Sequence, residues 1–322
     1  MAARKTNSQQ ESFDFVTAPK LGPDPKPPFD SRALFRLAAE GIFLGTSSWK
    51  YRGWEGMIYR GGYASEAQFQ KQSLREYTSL LPCVGVDFTF YTWPMPDMMS
   101  YLVDATPENF RCFPKVTKRI TLEEFPNVGS YGKWAGQKNP EFLNVDAFQE
   151  NFLKPISILD SRLGAIFFEF THLEEKHLPQ LEKFFSSIPR TFQYGVELRS
   201  PALVKAKFYS MLQSLEVAPI FNSWTKMPTI GEQFKYYLAG GGEKSRLPLV
   251  ARGLLRPGRS YEEAVRLFQP YQQIKDEFPE FRADLVKLMR FARESERKAY
   301  ILINNRLEGS APHTIGALLK SL

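Results

Sequence analysis

In Val196-Glu197-Leu198-Arg199 a carboxylate and a guanidinium stand two residues apart. On an extended strand that spacing turns both side chains to one face. One pocket can then hold an acid or base, Glu197, beside a fixed positive charge, Arg199. The same two residues can equally bridge each other and only hold the fold together, because buried carboxylates often exist to pair an arginine. Residues of similar chemistry end other short apolar runs: Thr46, Ser47 and Trp49; Asp87, Thr89 and Tyr91; Lys115; Glu169; Asn222 and Trp224; Arg252; and Asn304 with Asn305. In a catalytic reading Lys115 and Arg199 stabilise anionic charge, Glu197 and Asp87 handle protons or hydroxyls, and Trp49, Tyr91, Glu169, Asn222, Arg252, Asn304 and Asn305 line the substrate pocket.

Asp87, Glu169 and Glu197 form an oxygen-rich set of the kind that holds Mg²⁺ or Mn²⁺. Zinc is poorly supplied. His172 and His177 lie five apart in T-H-L-E-E-K-H, missing the spacing of H-E-x-x-H, and the two cysteines, Cys83 and Cys112, sit in apolar runs. Proton transfers would therefore fall to carboxylates or Lys115 rather than to histidine. The glycine-rich Gly240-Gly241-Gly242-Glu243-Lys244-Ser245 follows a helical run and lacks the G-x-x-x-x-G-K-[ST] spacing, so it reads as a solvent loop. Phe281 and Phe291 belong to a helical pattern that suits a core better than a base-stacking platform.

Eight β-rich apolar runs position these residues, at 42–46, 84–89, 111–115, 165–170, 193–198, 218–222, 247–252 and 300–304. Several, such as Ala165-Ile166-Phe167-Phe168, show no polar alternation, as expected of strands covered on both faces of a parallel sheet. Segments of helical period lie at 65–79, 94–105, 146–159, 174–187, 201–215, 261–274, 282–296 and 312–320, with Pro270 and Pro279 interrupting the C-terminal ones. Eight strand-helix alternations over residues 41–322 predict a single eight-stranded parallel β/α barrel of the TIM type, a fold of roughly 250 residues with room for insertions. No G-x-G-x-x-G follows the first run, which argues against a doubly wound dinucleotide fold. The connection 116–164, carrying Phe125, Tyr131, Trp134 and Phe142, is placed to act as a lid. Residues 1–31, dense in proline from Pro19 to Pro28, read as a flexible or draped arm outside the barrel.

The chain has 322 residues, 43% hydrophobic and 24% charged, which supports a sizeable core and rules out wholesale disorder. Lys and Arg exceed Asp and Glu by 42 to 35, a net charge of +7 that permits anionic partners, nucleic acid among them, without requiring them. Two cysteines give no disulfide framework, the opening MAARKTNSQQESFDF lacks a signal-peptide core, and no apolar run reaches membrane-spanning length. A cytoplasmic protein without membrane contact is the expectation.

The strand-end residues also carry a resemblance. From Gly45 onward the chain resembles the YecE-like family, the domain-of-unknown-function family numbered seventy-two. The matching pieces are Gly45-Thr46-Ser47-Ser48-Trp49 with Trp54-Glu55-Gly56, Thr89-Phe90-Tyr91, residues 110–115, Val196-Glu197-Leu198-Arg199, and Asn304-Asn305 with Gly309, Ala311 and Pro312. The resemblance implies a β/α barrel of the broad class that also hosts sugar isomerases and abasic-site endonucleases, and it brings no established activity. Three pieces depart from the family pattern: Gly85-Val86-Asp87 replaces Glu-x-Asn, Glu169-Phe170-Thr171-His172 replaces Gln-Leu-Pro-Pro, and Arg252-Gly253-Leu254-Leu255 replaces Arg-x-His-Gly. A divergent branch with a rebuilt site is implied.

The leading functional expectation is an enzyme, an isomerase, lyase or hydrolase of the barrel class, acting on a small polar ligand that is phosphorylated or sugar-like. A nuclease-like nucleic-acid-processing enzyme and a non-catalytic ligand-binding barrel are the alternatives. Gly309-Ser310-Ala311-Pro312 reads as an ordinary capped start of the terminal helix or, as the alternative, as an anion site facing Arg252.

Overall fold

A computed structural model describes residues 22–322. In chain order the elements are α1 (Ser31–Ala39), β1 (Ile42–Thr46), α2 (Glu66–Thr78), β2 (Cys83–Val86), α3 (Pro96–Ala105), β3 (Arg111–Pro114) and α4 (Lys118–Thr121). There follow α5 (Val145–Phe148), α6 (Lys154–Ile156), β4 (Ala165–Phe170), α7 (Leu178–Ser187), β5 (Gln193–Leu198), α8 (Ala206–Ser214) and β6 (Val217–Asn222). The last are α9 (Ile230–Ala239), β7 (Leu249–Gly253), α10 (Tyr261–Phe268), α11 (Pro279–Glu294), β8 (Ala299–Ile303) and α12 (Ala311–Ser321).

The eight strands form one parallel sheet in the order β3-β2-β1-β8-β7-β6-β5-β4. The sheet curls until β3 meets β4, where only two isolated parallel bridges, Cys112 to Leu163 and Lys115 to Phe167, close the barrel. Pro114 accounts for the thin seam. Lys115 N–H bonds Val86 O on the β2 side and Val116 N–H bonds Phe167 O on the β4 side. Alternation turns the nitrogen of Pro114 toward β4, where it has no hydrogen to give.

Two cores follow from the two-residue period of the strands. Outward residues pack under the helices. Inward residues fill the lower lumen, among them Phe43, Phe113, Phe167, Ile220, Val250, Tyr300 and Leu302. Phe113 stacks on Phe167 at 5.3 Å between centroids and tilts against Tyr300 at 4.8 Å. Two residues beyond this plug, the same inward rows reach Lys115 after Phe113, Glu169 after Phe167, Asn222 after Ile220, Arg252 after Val250 and Asn304 after Leu302. The polar strand ends therefore cap an apolar plug, and that stacking sets the depth of the site.

Some boundaries differ from the sequence pattern for identifiable reasons. β2 ends at Val86, and Asp87–Phe90 turn into a 3₁₀ helix. There the Thr89 hydroxyl donates to Val86 O and Lys115 O and accepts from Lys115 N–H, so a side chain takes over the ladder. The expected helix 146–159 opens into a π turn over Gln149–Leu153, just ahead of Pro155, which lacks the N–H that an α-helix needs there. α10 stops at Phe268, ahead of Pro270. α1 and α4 are additions to the expected pattern, and α9 is the helical run expected before Gly240. α9 carries a complete capping box, Thr229 with Glu232, whose sequence signature was available to be read.

The described part of the proline-rich segment, residues 22–30, holds no helix or strand and lies along the barrel. Gly22 N–H bonds Gly61 O, Lys26 N–H bonds Gly56 O, Asp24 pairs with Arg60 at 2.7 Å, and Asp30 caps α1. The expected arm over residues 1–21 lies outside the described residues.

Candidate active site at the barrel mouth

The C-terminal strand ends bring the four residues expected to do chemistry into one network. Arg252 reaches across the lumen from β7, its Nη1 2.7 Å from Glu197 Oε2 on β5 and its Nη2 3.2 Å from Asp87 Oδ1 after β2. Arg199 Nη2 lies 3.0 Å from Glu197 Oε1 and also bonds Glu169 Oε2 on β4. Lys115 Nζ, after β3, is 2.5 Å from the same Glu169 oxygen. The chain of pairs runs Asp87, Arg252, Glu197, Arg199, Glu169, Lys115. Three carboxylates meet three cations, so the network is formally neutral.

Burial is graded along it. The Glu197 side chain is 0% exposed, whereas that of Asp87 is 31% exposed, so Asp87 is the carboxylate that a ligand can reach. Burial by itself would raise the Glu169 carboxyl, but Arg199, Lys115 and Arg252 outweigh it and hold that group well below the usual carboxylate range. Arg252 is likewise held firmly charged, since Glu197, Asp87 and Glu169 outweigh the desolvation that would favour its neutral form.

Aromatic rings flank the cations. The Arg199 guanidinium lies 4.1 Å from the Trp224 ring and Lys115 Nζ 4.0 Å from Phe90. Phe90 was not among the expected site residues, although the Thr89-Phe90-Tyr91 run marked its place. Tyr91 stands at the rim, 70% exposed.

Other expected ligand-lining residues are engaged in shaping loops. Asn222 donates to Leu198 O and accepts from Trp224 N–H, and Gln233, unremarkable in sequence, holds the Asn222 backbone. Asn304 Oδ1 accepts from Arg306 N–H, and Asn305 Oδ1 accepts from Ala311 N–H. Trp49 is buried, with its carbonyl accepting from the Tyr59 hydroxyl.

These strand ends also concentrate unmet hydrogen-bonding capacity. Among the described residues thirteen buried side-chain polar atoms lack a well-aligned hydrogen-bond partner, and seven lie here: Ser47 Oγ, Trp49 Nε1, which turns to the Tyr101 hydroxyl, Glu197 Oε1, which has only its ion pair with Arg199, Arg199 Nε and Nη1, Arg252 Nε and Asn305 Nδ2. Five of the seven are N–H donors. Native interiors leave few such groups, and a cluster of them calls for a specific reason.

The carboxylates do not suit a divalent metal. Each of Asp87, Glu169 and Glu197 faces a cation of the chain, and no group of three His, Cys, Asp or Glu among the described residues is arranged as a metal cage. An incoming Mg²⁺ or Mn²⁺ would have to displace Lys115, Arg199 or Arg252. The alternative anion position at the start of α12 is closed as well. Ser310, Ala311 and Pro312 are buried, and Ala311 N–H is taken by Asn305.

The connection expected as a lid divides in two. Residues 145–159 are helical and pack on the barrel through Phe148 and Phe152. The preceding residues form a flap whose base is pinned: Asn139 Nδ2 donates to Arg119 O and Leu122 O, and His177 Nε2 bonds Glu123 at 2.9 Å. Its aromatic tip, Phe125, Tyr131 and Trp134, reaches the rim through Lys118, whose Nζ is 4.2 Å from the Tyr131 ring and 5.7 Å from Tyr91. His177 is thus a brace for the flap. No helix among the described residues is long and apolar enough to cross a membrane.

Comparison with known proteins agrees with this architecture. Two curated relatives, the UPF0759 protein YecE of Escherichia coli K12 and of O157:H7, are 26% identical over 162 residues, half of this chain. The chain spans 49% of the length of these relatives. Among solved structures, a DUF72 family protein from Enterococcus faecalis superposes with a TM-score of 0.60 at 18% identity, covering 87% of this chain and 95% of that one. A DUF72 family protein from Thermotoga maritima gives 0.55 at 19% identity, covering 87% and 98%. At such identities the likeness concerns the fold. A family model described as "Protein of unknown function DUF72" matches residues 43–322, almost the whole barrel, and the chain belongs to that family.

Proposed function

We propose that the barrel mouth binds a small polar ligand rich in acceptor oxygens, sugar-like or phosphorylated, and that the protein is an enzyme acting on it. The observation that carries this reading is Arg199 at the barrel mouth, whose guanidinium keeps Nε and Nη1 without a partner while Trp224 and Glu197 hold it in place. Leaving a buried donor unmet costs roughly 1–3 kcal/mol. Ligand oxygens would recover that loss on binding. Arg199, stacked on Trp224, and Lys115, stacked on Phe90, are held in place to stabilise negative charge developing on the ligand. Asp87, the accessible carboxylate, is the proton acceptor. Glu197 is a positioning residue: it sets the two guanidiniums, and its enclosure keeps it from the ligand.

A thermal-unfolding screen against sugars, hydroxy acids and their phosphate esters tests the binding. A true ligand at a hundred times its Kd stabilises the protein by about 2.7 kcal/mol. Arg199→Gln should remove that gain, and Asp87→Asn should bind the compound without converting it. Equal stabilisation of wild type and Arg199→Gln would place the ligand elsewhere and reject the reading.

A further inference from the structure

After β7 the chain runs Arg256-Pro257-Gly258-Arg259-Ser260 into α10 and walls an open cleft of ≈ 680 Å³. Two arginines are fixed there by one carboxylate. Arg256 Nη1 is 2.5 Å from Asp276 Oδ1, and Arg259 Nη2 bonds Asp276 Oδ2. Each guanidinium also lies over a ring, Arg256 at 4.9 Å from Phe278 and Arg259 at 5.0 Å from Phe268. Arg259 Nη1 is buried without a partner. Gly258, at φ +82°, has no atom within 4 Å of where a Cβ would stand, so the loop is open on that side. Exposed Arg266 completes the wall.

The charges separate this cleft from the mouth. Three arginines stand against Asp276 and Glu263, a balance of +1, where the network at the mouth sums to zero. The two places share a wall. Gly258 N–H bonds Thr225 O, next to the Trp224 on which Arg199 stacks, and Trp224 packs against the cluster of Leu255, Phe268 and Tyr271 behind the cleft.

We infer that the Arg256-Arg259 cleft binds the phosphate group of a small phosphate ester whose polar remainder occupies the mouth. Planar guanidiniums held in place match phosphate oxygens in pairs, and the ring contacts and Asp276 have already removed their rotational freedom. The identity of the remainder rests on the reading of the mouth as a ligand site; the phosphate position does not.

The test titrates inorganic phosphate into the full-length protein by calorimetry, with chloride at equal ionic strength as the control. Saturable binding to wild type should weaken about tenfold in Arg259→Gln, the loss of one charge-assisted hydrogen bond. In Arg266→Gln, a surface change that leaves the Asp276 pairs intact, it should weaken about threefold. Arg199→Gln should bind phosphate as wild type does. Absence of saturable binding, an equal response to chloride, or undiminished binding in both cleft variants would overturn the assignment. Binding lost in Arg199→Gln but kept in Arg259→Gln would put the anion in the mouth, ending this inference and leaving the proposed function in place.

Discussion

Arg297 and Arg252 are both almost fully buried, at opposite ends of the same barrel, and they are satisfied in different ways. Arg297, just before β8, spends every guanidinium nitrogen on the chain: Nε and Nη2 on Leu247 O, Nη1 on Gly242 O, and Nη2 also on the Tyr237 hydroxyl. Glu308, in the loop after β8 and so at the mouth end, is also fully satisfied, accepting from Phe278 N–H, Arg282 and Thr314. At the mouth, Arg252 keeps Nε unmet, and neighbouring Arg199 keeps Nε and Nη1 unmet. Charges that only hold a fold can be satisfied completely, because nothing must enter or leave. Groups meant for a ligand have to keep capacity in reserve, and that reserve is the difference between the mouth arginines and the charges at Arg297 and Glu308.

The largest way to press this contrast is Glu197→Ala. It leaves Arg199 and Arg252 without their shared buried partner, and the unfolding free energy should fall by about 3–5 kcal/mol, read from urea midpoints at pH 7. A loss below about 1 kcal/mol would mean that the network is hydrated and loosely held. Next comes Arg297→Leu. Stranding the carbonyls of Leu247 and Gly242 should cost about 2–4 kcal/mol, while ligand stabilisation of the remaining folded protein stays at the wild-type level. A variant that lost binding as well as stability would erase the distinction drawn between Arg297 and the mouth arginines.

Glu169 sharpens the comparison through pH. Its folded carboxyl lies well below its ordinary value of 4.5 because of Arg199, Lys115 and Arg252. A depressed carboxylate contributes stability that is fully present above the unfolded value and is lost as pH falls toward the folded one. The stability gap between wild type and Glu169→Gln should therefore be constant near neutrality and shrink steadily below about pH 5. A gap that widened on acidification would reverse the sign and refute the ion-pair account.

The sequence made the members of this network legible and hid their pairing. Glu169, Glu197, Arg252 and Lys115 could be placed because inward rows advance by two and strand ends face one way. That Arg252 crosses the lumen to Asp87 depends on barrel closure, which no local spacing encodes. The Arg256-to-Ser260 loop was readable as a turn entering a helix, but its charge balance depends on Asp276, brought back by the chain after α10. Asn304 and Asn305 were placed correctly at a strand end, yet their oxygens brace loops, a use indistinguishable in sequence from ligand binding. α9 was legible as the helical run before Gly240, and Thr229 with Glu232, which spell its cap, fix where it starts.

The smallest effect belongs to the flap, which differs from the mouth beneath it in how it is held. The network is tied by ion pairs, the flap base by Asn139 and His177, and the tip to the rim by Lys118 over the Tyr131 ring at 4.2 Å. A partly exposed cation over a ring contributes about 0.5–1 kcal/mol. Lys118→Ala should then leave the global unfolding midpoint within error while amide hydrogen exchange in residues 126–135 quickens by about two- to fivefold, the factor that this energy represents. Exchange around Asn139 and Glu123 should not change, because their hydrogen bonds do not involve Lys118. If the tip exchanges at the wild-type rate, Lys118 is not its tether and the flap is held by the packing of Phe125, Tyr131 and Trp134 on one another. If exchange quickens through the base as well, tip and base open together, and the flap moves over the mouth as one rigid piece hinged at the end of β3.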